Sequence, residues 1–189
     1  YWEADSVRVP GLFEEARAEG LKIAAVYWPV TAYHRSLDYN IPDAWDPWDS
    51  DSVLVTLRRL GTPWLLDSLG ATRGGDVSDS LRAQWTSDIV RRWDPDFVLL
   101  HLLDVDHWKH EQGPVGASVW IALRQADRHI GAVLGALRAA ARTKPVVVVR
   151  PATLEVAVCS LRGPPCAAPR GGRARCGSRR TTVHPNCDL

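Results

Sequence analysis

The chain has 189 residues, 46% of them hydrophobic and 24% charged, which suffices for one globular domain with a core and excludes disordered, collagenous and coiled-coil compositions. Its 23 basic and 22 acidic residues leave a formal net charge of +1, so no overall cationic field draws it to nucleic acid or anionic lipid. No apolar run approaches the roughly 20 residues that span a bilayer, and no membrane segment is expected in this piece.

The chain opens on Tyr1, Trp2 and Glu3 and contains no Met, so its natural start is expected upstream and its localisation cannot be read. Pro10 at a first-turn position, Leu12, Phe13 and Ala16 on one face, Glu14 and Glu15 near the start and Gly20 past the end predict a short helix. Residues 22–28 (KIAAVYW) predict a buried strand that Pro29 ends. Residues 29–51 carry three prolines, five aspartates and two tryptophans, Trp45 and Trp48, without periodicity, and are expected to form a long loop over the end of that strand. Two short helices, 53–60 and 63–69, follow on either side of Gly61, with a turn over 70–75.

Val77, Leu81, Trp85, Ile89 and Trp93 recur every four residues, with Ser78 or Ser80 as cap, Asp79 in the first turn and Arg91 and Arg92 in the last. This helix stops at Asp94-Pro95. Residues 96–103 (DFVLLHLL) are too apolar for a surface strand, so both faces are expected to be covered. After Gly113-Pro114, the spacing of Val119, Leu123, Ala126, Ile130, Val133 and Leu137 predicts a third helix, with Arg124, Gln125, Arg128 and His129 on its other face. Lys144-Pro145 leads into four valines at 146–149, a β-branched run. Strands alternating with amphipathic helices predict an α/β fold, a mainly parallel sheet with helices on both faces. Ligands in such sheets bind beyond the carboxyl ends of the strands, where residues 101–110 fall.

The near-neutral balance hides a division. Residues 1–150 hold 17 basic and 20 acidic residues, whereas 151–189 set six Arg against Glu155 and Asp188. The same stretch has five Pro, four Gly, all four Cys and no Phe, Trp or Tyr. The expected organisation is a partial α/β domain over 1–150 and an Arg/Pro/Gly/Cys-rich tail over 151–189, disordered or produced by a change of reading frame. Arg outnumbers Lys 20 to 3, a sign of GC-rich coding, which yields Arg, Pro, Gly, Ala and Cys when read out of frame. The rival is a genuine basic tail touching nucleic acid or membrane, for which interleaved aromatics and helical periodicity are lacking. Cys159, Cys166, Cys176 and Cys187, spaced by 7, 10 and 11, lack the CxxC pairs of a zinc knuckle.

Between His101 and His110 the chain places His101, Asp104, Asp106, His107 and His110, three of its six histidines and two carboxylates in ten residues. Imidazole and carboxylate are the ligand types of a hydrolytic zinc site, and an exposed loop after a buried strand lets several converge on one ion. The same residues also read as a solvated loop whose aspartates cap the next helix and whose His101 is a satisfied strand residue.

Asp106-x-x-x-His110, followed by Gly113-Pro114 after an apolar strand, resembles the P-D-x-x-G-H-x-x-G-P signature of the nucleotide pyrophosphatase/type I phosphodiesterase family of the alkaline phosphatase superfamily. Val105 and Lys109 stand where that signature has Pro and Gly. The resemblance runs from Lys22 to about Val149 through GLKIAAVYWP, DYNIPDAW, the HLLDVDH strand end and an Asp127-bearing helix. It implies an incomplete alkaline phosphatase-like core and a metal-dependent hydrolase of phosphodiester or pyrophosphate bonds, acting through two zinc ions about 4 Å apart on a small phosphate ester or nucleotide. Asp106 and His110 would be two ligands of the ion opposite a Thr or Ser nucleophile, with Asp104 and His107 as neighbours supporting them.

The same resemblance places the first metal aspartate and the nucleophile upstream of Tyr1, so no catalytic nucleophile is assigned here. Residues 146–149 run into Arg150-Pro151-Ala152 where the family has Asp-His-Gly, and His184 lacks the surroundings of a later ligand. The chain by itself is therefore expected to be inactive, with at most a weak partial zinc site. Two alternatives stand beside this reading. One is another phosphoryl or sulfuryl transferase of the superfamily, as in sulfatases or cofactor-independent phosphoglycerate mutases. The other is a non-catalytic α/β binding module with Trp45 and Trp48 in an aromatic recognition surface.

Overall fold

The computed structural model describes residues 3–44, 53–71 and 77–140, together with the backbone of two strands at 146–150 and 155–159. Helix α1 (Leu12–Ala18) opens on Gly11, whose backbone N–H donates to Glu14 Oε2 at 2.8 Å. Strand β1 (Ile23–Trp28) follows, buried along nearly its whole length, as its uninterrupted apolar run requires.

Strand β2 (Tyr39–Pro42) lies inside the segment expected to be a long loop. All four of its residues are buried, so the stretch shows no alternation. What makes it a strand is pairing with β1, Ala24 opposite Tyr39 and Val26 opposite Ile41. Trp45 and Trp48 lie outside the described residues. Helices α2 (Val53–Leu60) and α3 (Leu65–Ser68) are separated by Gly61, where a Cβ would collide with the Asn40 carbonyl oxygen of β2.

Helix α4 (Asp79–Trp93) starts as expected, with Ser78 Oγ accepting from the Leu81 N–H, and ends on Asp94 in the left-handed region. Strand β3 (Phe97–His101) is buried at every position. The next residues were expected as an exposed loop, but they form helix α5 (Asp104–Gln112), which Gly113 terminates at φ +75°. Two acidic residues in the first turn and Lys109 and His110 in the last favour the helix electrostatically. Helix α6 (Ala117–Ala139) buries Val119, Ala122, Ala126, Val133, Ala136 and Leu137. Strands β4 (Val146–Arg150) and β5 (Glu155–Cys159) follow.

The sheet order is β2-β1-β3-β5-β4. β1 pairs in parallel with both β2 and β3, while β5 runs antiparallel to β3 and to β4. β5 lies beyond residue 150 and takes the place beside β3, with Ala157 opposite Leu99. Residues 160–189, including Cys166, Cys176, Cys187 and His184, lie outside the described residues.

Period-two alternation divides the core. Ala24, Val26, Val98 and Leu100 face a large cluster with Trp85 and Ile89 of α4 and Val133 and Leu137 of α6. Ile23, Ala25, Phe97 and Leu99 face a smaller one with Ala16 and Phe13 of α1. Helices therefore cover both faces of the parallel strands, as the alternation of elements predicts. Leu99 and Leu100 are no more than 2% exposed, and each such leucine contributes about 1.5–3 kcal/mol by burial.

The amino-terminal edge of the parallel strands is tied by carboxylates. Asp38, just before β2, accepts the Ile23 N–H at 2.8 Å and the Arg17 guanidinium at 2.7 Å. Asp96, just before β3, accepts the Lys22 N–H at 3.1 Å. Tyr39 stacks on Trp93 with centroids 5.4 Å apart, and Trp64 meets both rings edge-on. These contacts lock the strand starts and so place the opposite edge.

Candidate functional site

At the carboxyl edge, β1 leaves the sheet under backbone strain. Tyr27 at φ 55°, Val30 at φ 56° and Tyr33 at φ 60° adopt a left-handed conformation that costs an L-residue roughly 1–2 kcal/mol each. Beside this segment opens a cavity of about 400 Å³ lined in part by Phe13, Glu14, Trp28, Tyr33 and His34. Within it His34 Nε2 lies 3.2 Å from Glu14 Oε1, while His34 Nδ1 accepts from the Ser36 N–H. Burial lowers the His34 pKa against the attraction of Glu14 and Asp5.

β3 ends in His101, buried, with Nδ1 3.2 Å from the Tyr27 carbonyl oxygen and 3.9 Å from Asp43 Oδ2. It is thus the satisfied strand residue rather than an exposed ligand. Asp43 follows β2, and burial raises its pKa despite the opposing pull of His101 and Arg82.

α4 and α5 meet at a buried ion pair. Asp79 is 1% exposed, and Arg82 Nη1 donates to its Oδ1 at 3.0 Å. The same carboxylate accepts the N–H groups of Leu103 at 2.8 Å and Asp104 at 3.0 Å. The Arg82 guanidinium carbon sits 4.0 Å above the Tyr27 ring. Sequence reasoning saw Asp79 only as a first-turn acid and did not single out Arg82. Their partners lie far along the chain, and no local spacing signals that contact.

On α5 the four expected site residues separate. Asp106 and His110, one turn apart, come together, with Asp106 Oδ2 3.4 Å from His110 Nε2. His110 keeps 80% of its side chain exposed and Asp106 38%. Asp104 is half-buried instead, its pKa raised by burial first and then by Asp79, against Arg82, His129 and His107. His107 is exposed and packs edge-on against Trp108. The donor types and the helical spacing of Asp106 and His110 suit a divalent metal. Among the described residues, however, no group of three His, Cys, Asp or Glu side chains could hold one.

Parallel strands with helices on both faces, and a carboxylate and imidazole pair on the helix beyond a strand end, define an open-sheet α/β protein of the kind that takes ligands at that edge. The family model for type I phosphodiesterase / nucleotide pyrophosphatase matches residues 2–149, and the chain belongs to that family. No curated protein and no solved structure matches it. That family is one of phosphodiesterase/pyrophosphatase-type hydrolases that act on small phosphate esters or nucleotides, and it is metal-dependent in general. No helix among the described residues is long and apolar enough to cross a membrane.

Proposed function

We propose that Asp106 and His110 are metal ligands of a phosphodiester or pyrophosphate hydrolase, and that among the described residues they alone belong to a two-zinc centre. The observation that supports the reading is the 3.4 Å approach of a carboxylate and an imidazole on a helical turn at the carboxyl edge of the sheet, on residues that resemble the family's signature and lie within the matched span. Asp106 contributes a carboxylate oxygen and His110 an imidazole nitrogen with most of its ring in solvent, which leaves space for a small phosphate ester beside the pair. A bound divalent ion would supply polarisation of a phosphoryl oxygen. Asp104, facing Asp79 and Arg82, and His107, against Trp108, flank the pair without joining it. Two donors alone lack the chelate that makes zinc binding tight, so the site binds zinc weakly and the chain does not turn over substrate.

The test is nitrophenolate release from a bis(nitrophenyl) phosphate with added zinc. The chain is expected to run no faster than zinc alone, and turnover above that control would show the ligands to be misassigned. A longer gene product bearing the remaining ligands is expected to hydrolyse the ester and to lose activity in His110→Ala. A frame change after Val149 accounts for the tail in this reading. One alternative frame of the coding sequence should then continue the valine strand into Asp-His-Gly within a few codons, and its absence from both would refute the frame change.

A further inference from the structure

We propose that Asp79 is a positioning residue for Asp106 and His110, serving as an amino-terminal cap that α4 delivers to α5; the proposal rests on reading that pair as metal ligands. Helix α5 has no local cap. Leu103 at the cap position offers no acceptor side chain, and its backbone is helical at φ −108°, ψ −19°, whereas a local cap needs extended backbone and a short acceptor. Asp79 supplies what is missing, Oδ1 accepting from the Leu103 N–H at 2.8 Å and Oδ2 from the Asp104 N–H at 3.0 Å. At 1% exposure the carboxylate is shielded from competing water. Its charge faces the positive end of the α5 dipole and is balanced by Arg82.

The contacts continue beyond that pair. Arg82 lies over the Tyr27 ring, and the Tyr27 carbonyl oxygen lies 3.2 Å from His101 Nδ1. One run of contacts therefore joins the end of β1 and the end of β3 to the first turn of α5. That turn holds Asp106, while His110 stands one turn on, so their 3.4 Å approach persists only while the turn stays helical. Val105 is the single buried residue of α5, and Trp108 one turn on packs partly buried against the same core, so at its amino-terminal end the first turn leans on Val105 and on the cap. Without the cap, the free N–H groups of the first turn favour fraying, and Asp106 leaves His110.

The substitution Asp79→Asn keeps the shape but turns one acceptor oxygen into an NH2 group that opposes a backbone N–H. Disturbing a group that orients a metal ligand typically costs 10–100-fold in affinity, and about tenfold is expected for a two-donor site. The experiment titrates the full chain with zinc, following the His110 imidazole by NMR and the backbone amides by hydrogen exchange. Asp79→Asn is expected to raise the zinc Kd about tenfold and to speed exchange over residues 103–107. Ser78→Ala removes α4's own cap one residue away and is expected to leave the zinc Kd unchanged.

An unchanged Kd in folded Asp79→Asn overturns the proposal, and so does an equal rise in Ser78→Ala, which would assign the effect to α4 stability. If Asp79→Asn does not fold, the unaltered chain decides: protected Leu103 and Asp104 amides support the cap, and fast exchange there overturns it. Zinc binding that ignores both Asp106→Asn and His110→Ala refutes the metal reading instead, whatever the exchange data show for Asp79.

Discussion

At the amino-terminal edge of the parallel strands, Asp38 and Asp96 accept backbone N–H groups of the neighbouring strand start, and Arg17 neutralises Asp38 at the surface. At the carboxyl edge, three residues other than glycine within seven positions hold left-handed backbone, and burial raises the pKa of Asp43 and of Asp104. The same residue types serve opposite ends. One edge spends its polar groups on closing the sheet, and the other keeps them desolvated, strained and clustered. Strain and desolvation of this kind persist only where the surrounding structure over-determines them, and they gather at functional sites.

The comparison is sharpest at the Asp79–Arg82 pair, which is more than nine-tenths buried on both sides. Arg82→Ala would leave a buried carboxylate without its counter-charge and is expected to cost about 3–5 kcal/mol in chemical denaturation. A loss under 1 kcal/mol would place that carboxylate in contact with water. At the opposite edge, Asp38→Ala removes a charge-assisted bond to Ile23 and a half-exposed ion pair. It is expected to cost about 1–3 kcal/mol while leaving the zinc Kd where it was. A Kd that moved with Asp38 would break the separation of the two edges.

Smaller effects run the other way. Tyr33 is 53% exposed at φ 60°, and asparagine tolerates that conformation better, so Tyr33→Asn is expected to raise stability by up to about 1 kcal/mol. A melting temperature that falls instead would mean the ring's contacts outweigh the strain. The smallest effect is a pH dependence. Burial lifts the Asp43 pKa in the folded chain above its ordinary value of 3.8, so the folded state holds this proton more tightly than the unfolded state does. Its contribution to stability is present in full below that value and is lost as pH rises through the folded pKa. Asp43→Asn should therefore gain on the parent as pH rises from 3.8 through the folded pKa, and denaturation midpoints that stay parallel as pH rises would contradict the desolvation argument.

Much of the fold was legible because local chemistry and global packing agree there. The four-residue recurrence of Val77 to Trp93, with Ser78 as cap, gave α4; the uninterrupted apolar runs gave β1 and β3; Val119 to Leu137 gave α6. β2 was not legible, because four residues buried on both faces carry no alternation and their strand state comes from pairing with β1. Nor was α5, whose polar residues read equally as a metal-binding loop until a capping carboxylate is found 24 positions upstream.

Of the site, the sequence by itself determined that Asp106 and His110 stand four positions apart in a segment leaving a buried strand, in a pattern that resembles a phosphodiesterase signature. Spacing along the chain is a local property, so it survives without knowledge of the rest. Only the tertiary structure decided that the segment is helical from Asp104, that His101 turns inward to Tyr27, and that Asp104 faces the Asp79–Arg82 pair while His107 stays in solvent. Those outcomes depend on which distant backbone groups need a partner once the helices cover the sheet, and that requirement exists only in the packed chain.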